Sequence, residues 1–384
     1  MTDDMESHDQ LHEREQLMAS LPMPVPSLGE DVYLAEREAA LALNPRCREN
    51  FAKYRAYQRS GADLDFIPVK LDIENVSRCN FSCTMCIVSD WPKQQRARDM
   101  TVDEFRRLIA EQYGLVEIKL QGVGEPTMAG DALFEMIEIA RERRIWVRTT
   151  TNASLLHLKN NCEKLIDTGV CEVQISIDGA DAETYSTIRK GGDFDRVVAN
   201  CKQFNDHARR RGREIGKMWV VVQKENLHQL TDLVSLAAKL GFQQLVFSLE
   251  LSDWGDDGWR DRLAECNADR ELNLGELHSL VEQGAELGVG VAFWRVREKY
   301  RTDDTAMLCP WPFERSYISS EGRVAPCCYV GNPDTFEIGA GTLGDGGFSE
   351  IWNGADYRNF RHSHLTGNPP EFCRGCYSGC GRKA

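Results

Sequence analysis

The sequence predicts an α/β fold: a partial (β/α)6 TIM-like barrel with a cysteine-rich subdomain behind it. Three observations lead there. From Val69 onward, six short β-type runs alternate with amphipathic helical segments, which is how a parallel sheet layered with helices reads in sequence. Residues suited to chemistry, Cys79, Glu125, Asn152 and Asp178, stand at or just past the ends of four of those runs, where such barrels collect their catalytic groups. Past Leu251 the alternation lapses, and six of the chain's 14 cysteines lie between Cys309 and Cys380.

Taken in chain order, residues 1–65 are rich in Glu, Arg and Ala and read as a charged, partly helical extension that wraps the domain after it. Residues 66–290 form the barrel, with strands expected at Val69–Glu74, Val116–Gln121, Ile145–Thr151, Glu172–Asp178, Lys217–Val222 and Gln244–Leu249. Thr101, followed three residues later by Glu104, makes a capping box ahead of Phe105, Leu108 and Ile109, so the first barrel helix is expected from Met100 to about Glu111. A further helix is expected at Leu274–Leu287. Residues 291–384 form the C-terminal subdomain, in which the glycine-rich stretch Asn332–Gly347 reads as loop and short hairpin.

Composition narrows the function. A chain of 384 residues buries a core unaided, so metal held by its cysteines serves function rather than folding. The net charge of −14 repels a phosphate backbone, and nucleic acid is not an expected partner. No run approaches the roughly 20 apolar residues of a membrane helix, and Met1–Arg14 lacks the basic and apolar regions of a signal peptide. The expected location is the cytoplasm, with no membrane partner. In that reducing compartment so many cysteines point to metal ligation or redox chemistry, not disulfides.

Cys79-Asn-Phe-Ser-Cys83-Thr-Met-Cys86 places three thiols in one short loop after an apolar strand. Three thiolates can take three corners of an iron–sulfur cubane and leave one iron open to a cofactor. Structural zinc, the alternative, takes four protein ligands, and no nearby His or Cys supplies the fourth. The spacing resembles the signature of the radical S-adenosylmethionine superfamily, and the resemblance extends over residues 69–255. It implies a [4Fe–4S] cluster whose unique iron is chelated by the amino and carboxylate groups of S-adenosylmethionine. Reductive cleavage of the sulfonium then yields a 5′-deoxyadenosyl radical, so the hard chemistry belongs to the cofactor.

Further segments are similar to that family's cofactor contacts. Gly122-Val-Gly-Glu-Pro126 resembles its GGEP motif, with Gly124, Glu125 and Pro126 matching and Val123 replacing a glycine. Asn152, in Thr151-Asn-Ala153, and Ser176 and Asp178, in Ser176-Ile-Asp178-Gly179, resemble segments facing the ribose and substrate. Arg189 occupies the position of an arginine that pairs with the cofactor carboxylate, a task suited to a planar fork. Met85 stands where the family often has an aromatic residue, and its thioether can pack on adenine. Taken singly, Asn152 and Ser176 read as strand-end caps and Arg189 as a solvated charge; it is their joint order that supports the cofactor reading.

In the C-terminal subdomain, Cys309-x12-Gly322-x4-Cys327 and the later Cys373-x2-Cys376 resemble the SPASM and shorter Twitch extensions. That resemblance implies one auxiliary [4Fe–4S] cluster on Cys309, Cys327, Cys373 and Cys376, with Cys328 and Cys380 as competing ligands; a four-cysteine zinc ribbon is the alternative. The isolated Cys47, Cys162, Cys171, Cys201 and Cys266 read as small buried hydrophobes.

An electron-transferring auxiliary cluster suits a radical dehydrogenation. It equally suits an epimerisation in which a thiol, Cys380 or Cys328, returns hydrogen, and Glu250 is a further catalytic candidate. The cysteine spacing most resembles relatives acting on sugars or cyclitols, so the expected substrate is a polar small molecule, with flavodoxin or ferredoxin as electron donor. A peptide maturase is the alternative reading, and a zinc-binding interaction protein a more distant one. Gln121, Glu250, Asp253, Arg315 and Tyr317 are candidate substrate contacts, and the Trp91 loop with its basic run Lys93–Arg98 is a candidate cofactor cover or anion grip.

Overall fold

The computed structural model describes residues 20–253, 256–268, 271–295, 299–339 and 347–379. Seven parallel strands follow one another across the sheet: β1 (Lys70–Ile73), β2 (Glu117–Leu120), β3 (Trp146–Thr151), β4 (Glu172–Ser176), β5 (Gly216–Val221), β6 (Gln244–Ser248) and β7 (Gly290–Trp294). Two more, β8 (Arg315–Ile318) and β9 (Val324–Ala325), extend it beyond β1, β8 parallel to β1 and β9 antiparallel to β8. All six expected strands are present. The seventh exceeds the expectation, and the boundary drawn between residues 290 and 291 falls inside it. A five-residue run flanked by Gly288 carries little local signal; β6 supplies the pairing that makes it a strand.

Helices connect the strands. They are α1 (Glu30–Leu43), α2 (Pro45–Ala56), α3 (Val102–Glu111), α4 (Asp131–Arg141), α5 (Asn161–Asp167), α6 (Ala182–Ile188), α7 (Phe194–Arg210), α8 (Leu230–Leu240), α9 (Asp257–Leu263) and α10 (Leu274–Glu286), followed after β9 by α11 (Gly347–Trp352) and α12 (Ala355–Leu365). The expected capping box opens α3: Thr101 Oγ1 accepts from Glu104 N at 3.2 Å, and Glu104 accepts from Thr101 N at 2.9 Å. Of the stretch Asn332–Gly347, expected as loop and short hairpin, residues 333–336 form a helical turn capped by Asn332 and opened by Pro333, and residues 340–346 lie outside the described residues.

Period-two alternation gives the sheet two unlike faces. Leu71, Ile73, Ile118, Leu120, Val147, Val173, Ile175, Met218, Val220, Leu245 and Phe247 are buried in one continuous core. The opposite residues, among them Asp72, Glu117, Arg148, Glu172, Lys217 and Arg315, are charged and paired with one another across strands. Arg148 meets Glu117 at 2.7 Å, and Lys217 meets Glu172 at 2.8 Å. The lumen is therefore polar.

The extension before the barrel closes its foot. Pro22 O accepts from Phe293 N, Val25 O from Lys217 Nζ and Pro26 O from Gln244 Nε2, while Ser27 N donates to Glu172 and Tyr33 OH to Glu117. The C-terminal segments are equally integral. Trp352 Nε1 donates to Phe66 O, and the fully buried Arg361 donates to the carbonyls of Pro312, Trp352 and Ala62. Burial without a carboxylate partner brings that guanidinium down to about 10.

Candidate functional site

The site begins where β1 ends. Glu74, without exposed surface, accepts from Val123 N at 3.2 Å, Ser320 N at 3.0 Å and Arg96 at 3.0 Å, and so joins the tips of β1, β2 and β8. The cysteine loop follows, fastened by backbone: Cys79 N donates to Gln94 O, Ser82 N to Lys190 O and Thr84 N to Ile188 O. Gly124 lies against this segment so closely that a Cβ would stand 2.5 to 2.7 Å from the Val76 and Arg78 carbonyls and the Arg78 nitrogen. Only glycine lets the two strand-end loops meet.

Cys79, Cys83 and Cys86 share this pocket and act on one another electrostatically. Burial raises all three thiols, Cys86 to about 12; Glu125 adds to the effect at Cys79, and Arg189 opposes it at Cys83. Among the described residues no three thiol, imidazole or carboxylate groups close tightly enough to cage a single metal ion. In a cubane each thiolate takes its own iron, so three thiols on one loop suit three corners of a cluster, whereas structural zinc takes four protein ligands.

Glu125 is buried and held from four sides. It accepts from Thr127 N and Oγ1 at 3.1 and 2.5 Å, from Thr151 Oγ1 at 2.7 Å and from Asn152 N at 2.7 Å. Burial outweighs these bonds and raises its pKa. Pro126 follows directly, its carbonyl accepting from Asn75 Nδ2 at 3.1 Å. Asn152 donates from Nδ2 to Asn80 Oδ1 at 3.0 Å, and Asn80 donates to Ser154 Oγ at 2.9 Å, tying the cysteine loop to the end of β3.

Asp178 and Arg189 form a buried ion pair, Nε to Oδ2 2.6 Å. Asp178 Oδ1 also accepts from Val221 N at 2.8 Å, so its carboxylate is fully engaged inside the protein and supports Arg189 from behind. Burial disfavours the guanidinium charge, but Asp178 and then Cys83 outweigh it and the net shift is upward. Ser176 ends β4 nearby, buried on the lumen face. Met85 packs with Val123, Trp91 and the buried Ile87 and Leu251, so the residue that departs from the glycine motif contributes an apolar wall.

In the C-terminal subdomain, Cys309, Cys373 and Cys376 pack on one cluster around Leu308, Phe313 and Tyr377. Cys327 is within electrostatic reach of Cys309 and Cys376. Cys309 and Cys376 thus link Cys327 to the group that holds Cys373. Cys328 acts on Cys327 and is itself within reach of Asp72, Lys119 and Arg315. Cys380 lies outside the described residues. Tyr377 OH accepts from Cys309 N at 3.0 Å, which leaves its proton for His364 Nδ1 at 2.6 Å.

Of the candidate substrate contacts, Gln121 accepts from Thr150 Oγ1 at 2.5 Å on the lumen face. Glu250 lies just past β6 and acts on Lys299. Asp253 is buried and paired with Arg260 at 3.0 Å, Arg315 is held by Asp72, and Tyr317 is buried beside Glu74. Within the basic run, Arg96 is bound between Glu74 and Glu321 and Arg98 to Glu104, so neither guanidinium is free to grip an anion, while Lys93 is exposed. Sequence reading missed Glu74, Asn80 and Lys119; the signal available at positions 74 and 119 was the strict alternation of polar and apolar residues in Val69–Glu74 and Val116–Gln121, which marks a polar face.

The barrel with three clustered thiols and a buried arginine at its mouth is the architecture of an enzyme that uses S-adenosylmethionine with an iron–sulfur cluster. Residues 75–237 match the Radical SAM superfamily, and residues 309–377 match the SPASM iron–sulfur cluster-binding domain. The chain belongs to the radical SAM superfamily and carries a C-terminal SPASM region, with the [4Fe–4S] cluster, S-adenosylmethionine and auxiliary iron–sulfur cluster these imply. It is similar to the mycofactocin maturase MftC of Mycolicibacterium smegmatis, 28% identical over 78% of this chain and 74% of that protein. It is also similar to the PqqA peptide cyclase of Bradyrhizobium diazoefficiens, 27% identical over 70% of this chain and 69% of that one. Among solved structures, Streptococcus suis SuiB bound to precursor peptide SuiA shares the fold, with a TM-score of 0.62, 17% identity and coverage of 88% of this chain and 79% of that one. No helix among the described residues is long and apolar enough to cross a membrane.

Proposed function

We propose that this radical SAM enzyme modifies a peptide. The observation that carries this is the similarity, over most of both chains, to a maturase and a peptide cyclase. It displaces the sugar or cyclitol expectation in favour of the peptide alternative. On this reading Cys79, Cys83 and Cys86 hold the cluster that, with S-adenosylmethionine bound, supplies a 5′-deoxyadenosyl radical. Gly124, Glu125, Pro126, Asn152 and Ser176 surround the cofactor, Met85 packs on its adenine, and Arg189, positioned by Asp178, pairs with its carboxylate. Glu125, already accepting four hydrogen bonds, is pre-oriented to receive an ammonium group without rearranging. Cys309, Cys327, Cys373 and Cys376 hold the auxiliary cluster, and an external flavodoxin or ferredoxin delivers electrons.

The test is anaerobic incubation of the reconstituted enzyme with S-adenosylmethionine, dithionite and deuterated short peptides encoded beside its gene, against deuterated sugars. Deuterium is expected in 5′-deoxyadenosine from a peptide; transfer only from sugars overturns the reading.

A further inference from the structure

The lower lumen holds five cations, Lys70, Lys119, Arg148, Lys217 and Arg315. Four have a carboxylate within 4 Å: Lys70 has Glu314 at 3.3 Å, Arg148 has Glu117 at 2.7 Å, Lys217 has Glu172 at 2.8 Å and Arg315 has Asp72 at 3.4 Å. Lys119 has no ion pair or hydrogen bond among the described residues. It stands on the lumen face of β2 between Glu117 and Gln121, and it is half-buried. Asp72, Cys328, Arg148 and Arg315 are near enough to act on its charge, but Asp72 is already engaged with Arg315. An enclosed ammonium without a partner is costly, and the cost is relieved when an anion arrives.

We propose that Lys119 is the anchor of a binding site for a carboxylate of the substrate, deep in the lumen beside the Cys327–Cys328 turn. The charge around it selects the ligand. Both neighbouring guanidinium groups are ion-paired through their terminal nitrogens with Glu117, Glu172 and Asp72, each keeping only its Nε without a partner, and those carboxylates repel a dianion such as phosphate. One ammonium matches one monoanion. From Lys119 to Gly122, at the mouth, is about 10 Å of strand, the reach of an inserted side chain or chain end. Cys328 is exposed at this end of the lumen, within electrostatic reach of Lys119 and of the same Asp72, Arg148 and Arg315 that surround it. The bound carboxylate therefore lies on the side of the lumen nearest the auxiliary cysteines, with the rest of the substrate reaching up to the cofactor.

The site deepens the peptide reading and rests on it for the source of the carboxylate, which is either a C-terminus or an acidic side chain. Its existence is tested without a peptide. In the reconstituted holoenzyme, acylation of Lys119 by an amine-selective ester is followed by mass spectrometry with N-acetylglycine or N-acetylglycinamide present. Protection by the acid alone is expected; no protection, or equal protection by the amide, overturns the site.

Peptides with a free C-terminus and Gln inside, against amidated ones with Glu inside, then separate the two sources. Lys119→Gln is expected to weaken the preferred peptide roughly tenfold to a hundredfold and Lys119→Arg to restore much of it. Both variants should keep the iron content and the spectral response to S-adenosylmethionine. A peptide modified equally by wild type and Lys119→Gln overturns the site and leaves the peptide reading standing. Protection by N-acetylglycine with no peptide modified supports the site and removes that reading.

Discussion

At the scale of residues, two buried groups carry most of the consequence. Asp178 holds Arg189 at 2.6 Å with neither side chain more than 10% exposed. Removing one partner of a buried pair leaves an uncompensated charge, so Asp178→Asn is expected to lower stability by about 3–5 kcal/mol and to weaken S-adenosylmethionine binding. Denaturant unfolding and cofactor titration measure the two effects. His364 is buried with Nδ1 accepting from Tyr377, and burial followed by the charge of Arg59 lowers its pKa to about 4. A base depressed in the fold stays neutral there while the unfolded chain protonates. The stability this contributes is complete above pH 6.5 and is lost as pH falls from about 6.5 to 4, a change of roughly 3 kcal/mol. Unfolding midpoints measured across that window should fall in the wild type and flatten in His364→Phe. Asp178 and Arg189 were both marked in the sequence, but that they pair with each other, like the pairing of His364 with Tyr377, follows from the fold and not from spacing.

At the scale of elements, the site is made by loops forced together at strand ends. The β2 loop meets the cysteine loop only because Gly124 has no Cβ. Gly124→Ala is expected to push the two apart and reduce cleavage of S-adenosylmethionine on the order of a hundredfold, read as 5′-deoxyadenosine formed per enzyme, with iron content falling less. The sequence showed this region well. The capping box at Thr101 and Glu104 and the six strand runs are local signals, and each sits where local chemistry places it. The strand β7 was not legible, since its five residues become a strand by pairing with β6. The same holds for β8, whose partner β1 lies far back in the chain.

At the scale of the whole molecule, the SPASM region and the barrel share one sheet. Strand β8 adds to β1, Glu74 binds Ser320, and Trp352 and Arg361 reach Phe66 and Ala62. A chain ending at residue 299 is expected to lose cooperative unfolding and protease resistance, because it bares the β1 edge and the polar lumen beneath it. A truncated chain with a sharp, wild-type-like denaturant transition would show the barrel to be independent of its C-terminal partner. The extension at the other end is tied in the same way, through backbone groups of residues 22–27 that close the foot of the lumen.

What the sequence determined by itself is the cofactor chemistry: three thiols within one turn of loop, a glycine–glutamate–proline tip and paired late cysteines are short-range patterns, and ligand spacing is a covalent property of the chain. What only the tertiary structure decided is which charges remain after folding. Arg96 and Arg315 looked available in the sequence and are neutralised by Glu321 and Asp72, far along the chain, while Lys119, unmarked in the sequence, is left without a partner among the described residues. Pairing in an enclosed lumen depends on strand order and register, and these exist only once the sheet has assembled.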